Sequence, residues 1–177
     1  MKMRLDRGCT KCCLCQGRNS VVAPSGDLGS KVALVGEAPG EKEDQMGRPF
    51  VGRAGKMLDR LMLEAGLDRE KVMITNTVKC RPPGNRRPKP EEVAACQPFL
   101  EQELEDKDLI VCLGKTACEA LMQRSIKMGE QANKPTTVIV MGKEKELLPA
   151  YHPSASLYNL KARDSLRETL RTVRERL

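Results

Sequence analysis

The sequence predicts an α/β fold in which a parallel sheet lies between helices on both of its faces. Short apolar runs alternate along the chain with segments of helical periodicity, and this alternation is typical of parallel sheets with crossover helices. The chain has 177 residues, enough for one domain with a hydrophobic core. We therefore expect a single domain over residues 1–177, with a Cys-rich arm over residues 1–30.

Four apolar runs and one further strand-like segment are the predicted strands. The runs cover residues 32–35, 72–75, 109–113 and 147–150, and the strand-like segment covers residues 136–141. The first three runs are followed directly by Gly36, Asn76 and Gly114. The fourth is followed by Tyr151 and then His152. Parallel strands bring their carboxyl ends to one edge of the sheet, where ligands bind in such folds. We therefore expect these positions to form one active site.

The predicted helices are segments in which apolar residues recur at three- and four-residue steps. The first contains Ala54, Met57, Leu58, Leu61, Met62 and Ala65, and Gly66 closes it. The second opens near Pro90 and is interrupted or kinked at Pro98. Another begins at Gly114-Lys115-Thr116, and the last presents Leu166, Leu170, Val173 and Leu177 on one face.

The charge of the chain favours a polyanionic partner. Lys and Arg total 31 against 24 acidic residues, which gives a net charge of +7. Nucleic acid is the usual partner of such a protein, although a basic protein without a polyanionic partner has the same composition. No apolar run approaches the ~18 residues of a membrane span, and the N-terminus lacks the apolar core of a signal peptide. We expect a cytoplasmic protein.

Cysteine is the most informative residue type. In a reducing compartment, the eight cysteines are metal ligands or buried thiols rather than disulfides. Cys9 and Cys12 form one C-x-x-C pair, Cys12 and Cys15 form another, and two distant cysteines, Cys80 and Cys96, could complete four-coordination. Spacing alone leaves zinc and an iron–sulfur cluster both open. The two remaining downstream cysteines lie in an apolar run and a helix, and we expect them to be small buried hydrophobes.

Three further features could carry chemistry. The connection over residues 36–53 is long, which is typical of functional loops, and it contains Phe50, whose ring could pack in the core or face a ligand. Asn76 ends a strand, and its side chain could read the edge of a pyrimidine or cap a turn. His152 is the only histidine, and its position at the shared edge favours function over structure.

Four ordered segments resemble the family 4 uracil-DNA glycosylases. They cover residues 36–40 (GEAPG), 47–55 (GRPFVGRAG), 76–83 (NTVKCRPP) and 152–154 (HPS). The resemblance implies a three-layer α/β/α sandwich with a central four-stranded parallel sheet. It also implies a [4Fe-4S] cluster held by Cys9, Cys12, Cys80 and Cys96, with Cys15 as the alternative to Cys9.

The same resemblance assigns roles around an extruded uracil. Backbone N–H groups at Glu37 and Ala38 would bond a carbonyl oxygen of the base. Phe50 would stack on the ring, Asn76 would read its pairing edge, and His152 would stabilise the negative charge on O2. Either Glu37 or Glu43 would orient water or stabilise the sugar cation. The loop after the histidine would enter the minor groove, where Leu157 would fill the gap in the base stack.

The implied activity is release of free uracil from DNA by a monomeric enzyme that leaves an abasic site. Two other functions are compatible with parts of the sequence. A DNA-binding replication accessory of the same fold would lack catalysis, but the set Glu37, Phe50, Asn76 and His152 argues against it. An electron-transfer protein would use the cluster and would need neither Asn76 nor His152.

Overall fold

The computed structural model describes residues 5–177, and its centre is one six-stranded sheet. The strands are β1 (Ser25–Gly26), β2 (Val32–Gly36), β3 (Met73–Asn76), β4 (Leu109–Leu113), β5 (Thr136–Val140) and β6 (Lys143–Ala150). Their order is β1-β3-β2-β4-β6-β5. The four central strands are mutually parallel, as the sequence predicts, and both edge strands run antiparallel to their neighbours.

The helices are α1 (Glu41–Met46), α2 (Arg53–Glu64), α3 (Pro90–Leu104), α4 (Lys115–Met122), α5 (Met128–Gln131) and α6 (Leu160–Glu175). Helix α3 runs on through Pro98. The sequence prediction missed α1 inside the connection after β2, and it extended the last helix too far, since Leu177 lies beyond α6 and is exposed. No helix in the described part of the chain combines the length and apolarity that a membrane span needs.

Two hydrophobic clusters lie on opposite faces of the sheet. The first joins α2 and α6 to one set of strand residues, which includes Leu34 and Val111. The second joins α3 and α4 to the alternate residues, such as Val35 and Cys112. Because successive side chains of a strand point to opposite faces, fully buried strands require both layers. The result is the three-layer α/β/α sandwich that the sequence predicts, and Cys112 and Cys118 are core residues as expected.

The parallel centre of the sheet places the ends of β2, β3, β4 and β6 along one edge. Gly36 pairs with Asn76 in the parallel ladder between β2 and β3. The last residue of β4 pairs with the last residue of β6, two positions before His152. The positions that the sequence analysis singled out therefore meet at the carboxyl edge.

Candidate active site

A cavity of about 410 Å³ opens at the carboxyl edge of the sheet. Six of the residues that the sequence predicts to contact or act on a base line this cavity: Glu37, Ala38, Glu43, Phe50, Asn76 and His152. The seventh, Leu157, does not line it. The residues come from the ends of β2, β3 and β6 and from the connection that contains α1. Segments far apart in the sequence therefore surround a single space.

Gly36 brings two of these residues together because it has no side chain. A Cβ at this position would overlap the Phe50 ring and would lie 2.5 Å from Oδ1 of Asn76. The ring and the amide oxygen therefore both pack against the end of β2. Only glycine allows this approach.

Phe50 is held in an unusual backbone conformation. Its φ is +52°, a left-handed value that costs about 1–3 kcal/mol for a residue other than glycine. Arg69 donates to the carbonyl oxygens of Phe50 at 2.8 Å and Pro49 at 2.6 Å. The Phe50 ring is 5 % exposed, packs with the α2–α6 cluster and lines the cavity. Both interpretations that the sequence allowed, core packing and a ligand-facing ring, describe this residue.

The His152 ring lies beside Phe50, with ring centroids 5.8 Å apart and planes inclined by 34°. Nδ1 of His152 accepts the backbone N–H of Ser154 at 3.1 Å and lies 2.7 Å from the Ser154 hydroxyl. Burial lowers the pKa of His152 to about 4, although the nearby negative charge of Glu43 opposes the shift. At neutral pH the ring is therefore uncharged.

Asn76 is 4 % exposed, and its backbone is tied to the end of β2. The N–H and hydroxyl of Thr77 both donate to the carbonyl of Gly36, at 2.8 and 2.9 Å. Within residues 5–177, the side-chain amide of Asn76 makes no protein hydrogen bond, and it borders the cavity. It therefore has a donor and an acceptor free for a ligand.

The two candidate carboxylates are held in different ways. Oε1 of Glu43 accepts the backbone N–H groups of Val51 at 3.1 Å and Gly52 at 2.9 Å. Glu43 thus ties α1 to the segment directly after Phe50. Oε2 of Glu37 accepts the hydroxyl of Thr116 at 2.5 Å, from the first turn of α4.

Asp44 is a residue that the sequence analysis missed. The acidic residues of α1, Glu41, Glu43 and Asp44, have the pattern of a solvated turn, but Asp44 is 1 % exposed. Its carboxylate accepts the backbone N–H groups of Asn19 and Ser20 and the Asn19 amide, at 2.7–3.1 Å. It therefore anchors the N-terminal arm to the active-site connection. The residue type alone carries no signal of this, because the contact joins distant segments.

Leu157 ends a short 3-10 helix, Ala155–Leu157, and is half-buried. The next residue, Tyr158, is 78 % exposed, and its hydroxyl accepts from the Arg53 guanidinium at 2.8 Å. Arg53 lines the cavity. The loop after His152 therefore also presents an exposed aromatic ring that contacts a residue of the cavity lining.

Four of the cysteines surround a second, small cavity. Cys9, Cys12, Cys80 and Cys96 line it together with apolar residues such as Phe99, whereas Cys15 does not line it. Arg18 donates to the sulfur of Cys80 at 3.6 Å. Burial raises the pKa of Cys80 to about 11 and also raises the pKa of Cys96.

The donor set at this second cavity consists of soft thiol ligands only, which suits zinc or an iron–sulfur cluster. In the described residues, no group of three or more ligating side chains is close enough to hold one metal ion.

The loop over residues 79–89 contains five basic residues, and several of their charges are paired within the protein. Arg86 makes two hydrogen bonds to the carboxylate of Glu92, at 2.7 and 2.9 Å. Arg87 pairs with Glu119 at 2.7 Å, and Lys79 is buried. Ion pairing therefore neutralises part of the positive charge of this loop.

Comparison with known proteins shows the family to which the chain belongs. The family model of the uracil DNA glycosylase superfamily matches residues 23–174. The chain is 43% identical to the type-4 uracil-DNA glycosylase of Sulfurisphaera tokodaii over 94% of this chain and 79% of that protein. It is 43% identical to the type-4 enzyme of Saccharolobus solfataricus (97% and 82% covered) and 45% identical to that of Thermotoga maritima (85% and 79% covered). The chain therefore belongs to the uracil-DNA glycosylase superfamily, in its type-4 family.

Proposed function

We propose that this protein removes uracil from DNA by hydrolysing the bond between the base and its sugar. The observation that carries the proposal is the convergence of Phe50, Asn76 and His152 on one cavity. The cavity is large enough for a base, and an enzyme that acts on a base in DNA must first extrude it from the stack.

Recognition rests on stacking and on one amide. The Phe50 ring offers a flat apolar face to the flipped base. The free Asn76 amide can donate to uracil O4 and accept from N3–H, a pattern that cytosine reverses. Backbone N–H groups at Glu37 and Ala38 bond the carbonyl at the opposite side of the ring. A site built to pair with specific polar groups rejects an analogue that leaves those groups unpaired.

His152 stabilises the departing base. When the bond from C1′ to N1 breaks, its electron pair moves to uracil and negative charge develops on O2. Because Nδ1 of His152 accepts the Ser154 N–H, the ring proton of neutral His152 is on Nε2. This N–H donates to O2, and such preorganised donors lower the barrier most where charge develops.

A water molecule completes the reaction by bonding through its oxygen to C1′. Glu37 orients this water and accepts its proton, because within residues 5–177 only the Thr116 hydroxyl bonds its carboxylate and Oε1 stays available. Glu43 uses one oxygen to hold the backbone after Phe50. Its negative charge, which also acts on His152, favours the sugar cation. The proton on Glu37 then passes to the released base or to solvent.

The four thiols of Cys9, Cys12, Cys80 and Cys96 hold a [4Fe-4S] cluster. When bound, the cluster cross-links the N-terminal arm, the loop after β3 and α3, and hydrolysis needs no electron from it. The Cys-rich arm over residues 1–30, of which the structure describes residues 5–30, is thereby joined to the rest of a single domain over residues 1–177. The Arg18 guanidinium donates to the Cys80 sulfur and offsets thiolate charge.

The partner is uracil-containing DNA, approached from the carboxyl edge of the sheet. Leu157 fills the space that the extruded base leaves in the duplex, at the same edge as the cavity. In this proposal the enzyme acts on DNA as a monomer. A cytoplasmic location suits its free thiols.

The direct test is release of uracil from a labelled oligonucleotide that contains one uracil, with matched thymine and cytosine oligonucleotides as controls. We expect free uracil and an alkali-labile abasic site, with no strand cleavage before alkali. Folded protein with its full iron content that releases no uracil would favour the non-catalytic DNA-binding function instead.

A further inference from the structure

Lys79 is a buried lysine that no step of the proposed reaction uses. It is 1 % exposed, and its ammonium group has three donors. These reach the backbone carbonyl of Asn76 at 2.7 Å, the hydroxyl of Thr75 at 2.8 Å and Oε2 of Glu103 at 2.6 Å. The side chain therefore folds back onto the strand end that carries the amide expected to read the base.

This ion pair is poorly explained by stability alone. Burying a lysine and a carboxylate costs more than their attraction returns unless every polar atom is satisfied. Oε1 of Glu103 is buried and has no hydrogen-bond partner among the described residues. The ion pair thus leaves Oε1 of Glu103 without a partner among the described residues, whereas each of the three donors of Lys79 has an acceptor. This pattern is expected of a lysine that positions its neighbours.

Lys79 also borders the cysteine site. It lines the small cavity of the four thiols, and its carbonyl accepts the N–H of Val22 at 2.7 Å. The following residue is Cys80. Cys96 and Glu103 are seven residues apart on α3, so they lie on the same face of the helix. One residue thus contacts the N-terminal arm, α3 and the end of β3.

We infer that Lys79 is a positioning residue that sets the orientation of the Asn76 amide and links it to the four-thiol site. The inference rests on the proposed function and deepens it. Among the described residues, none forms a hydrogen bond that would orient the Asn76 side chain, so its direction depends on the backbone from which it extends. Lys79 fixes that backbone at the carbonyl, while Thr77 fixes the next peptide against β2.

The test compares Lys79→Met with Lys107→Met in the cluster-loaded protein. Lys107 is a matched control: it is also 1 % exposed, and it donates to the Leu28 carbonyl at 2.6 Å and to Asp106 at 2.9 Å. It precedes β4 and so lies at the opposite edge of the sheet. Lys79→Met should lower the rate of uracil release at least about tenfold relative to Lys107→Met. It should also lower the ratio of uracil release to cytosine release.

Two further measurements separate positioning from simple damage. Iron content and absorbance at about 400 nm should stay at the wild-type level in Lys79→Met, because the substitution leaves all four thiols of the second cavity in place. In an Asn76→Ala background, Lys79→Met should cause no additional loss, since the two residues act through the same amide. Lys79→Arg should recover part of the activity by restoring a cation.

The inference is overturned if Lys79→Met loses no more activity than Lys107→Met, if its losses add fully to those of Asn76→Ala, or if activity falls in proportion to iron. Should Lys79→Met fail to fold, Glu103→Gln replaces it, because it keeps an acceptor but removes the charge. A Glu103→Gln enzyme with wild-type uracil release and base preference would also overturn the inference. An inactive wild-type protein would instead contradict the proposed function.

Discussion

The backbone N–H of Ser154 lies 3.1 Å from Nδ1 of His152 and donates to it. A backbone N–H is always a donor, so Nδ1 must accept, and in the neutral ring the proton is on Nε2. Burial lowers the pKa of His152 to about 4. The ring therefore enters the reaction as a neutral donor whose tautomer is fixed by its own loop.

His152→Ala should lower the rate of uracil release about 10²- to 10³-fold, with little change in affinity for DNA. The reason is that the Nε2–H bond strengthens only as negative charge develops on O2. Single-turnover rates measure the first quantity, and binding to an uncleavable uracil analogue in DNA measures the second. Equal losses in rate and in binding would contradict this role.

The pH dependence should reflect the low pKa of His152. The folded-state pKa of about 4 lies below the ordinary value of 6.5, so the neutral form persists as pH falls and is lost only near pH 4. The titration of His152 should therefore leave the rate unchanged between about pH 5 and 8. It should also lower folding stability as pH falls below 6.5, because the unfolded chain binds the proton more tightly.

Two measurements check this pH prediction. The first is the single-turnover rate as a function of pH for the wild type and for His152→Gln, which keeps a neutral donor and should lack the acid limb near pH 4 that belongs to His152. The second is thermal melting over the same range. A wild-type rate that increases as pH falls through the ordinary histidine pKa would show that the charged ring is the active form.

Glu37→Gln and Glu43→Gln should affect different quantities. Glu37→Gln removes the base that orients water and should lower kcat with little change in KM. Glu43→Gln weakens the contact to the Val51 and Gly52 N–H groups and loosens the segment after Phe50, so it should raise KM as well. Steady-state kinetics on one oligonucleotide tests both. Thr116→Val is the control, and it should resemble a mild Glu37 variant because its hydroxyl donates to that carboxylate.

Cys9→Ser and Cys15→Ser should differ in iron content. Cys9 lines the cavity of the four thiols and Cys15 does not, although each begins or ends a C-x-x-C pair with Cys12. Iron per protein should fall in Cys9→Ser and stay at the wild-type level in Cys15→Ser. Loss of iron from Cys15→Ser alone would reverse the assignment.

The sequence predicts the fold well where periodicity is strong. The runs that correspond to β2, β3 and β4 are apolar except for Thr75, because both faces of these strands are covered. The edge strand β1 could not be predicted, because its two residues, Ser25–Gly26, resemble a turn and pair only through the antiparallel ladder to β3. The first four residues of β6, residues 143–146, were not predicted because they are all polar. They form a strand by pairing with the edge strand β5.

The site was predictable at strand ends and much less so within loops. Gly36, Asn76 and His152 follow apolar runs, so parallel topology alone brings them together. The contacts of Asp44 with Asn19 and of Arg69 with the carbonyl of Phe50 join distant parts of the chain, and no local pattern encodes them. The burial of Lys79 could not be predicted either. A basic residue among other basic residues is expected at the surface, and the fold alone shows that Lys79 is buried and paired with Glu103.

The most direct test of the account is the base preference of Asn76→Asp. An aspartate keeps the acceptor of the amide and, when protonated, supplies a single donor, so it can pair with the edge of cytosine. We predict measurable release of cytosine from a labelled oligonucleotide together with reduced release of uracil. An Asn76→Asp enzyme that still releases uracil at the wild-type rate and leaves cytosine intact would contradict the claim that this side chain reads the extruded base.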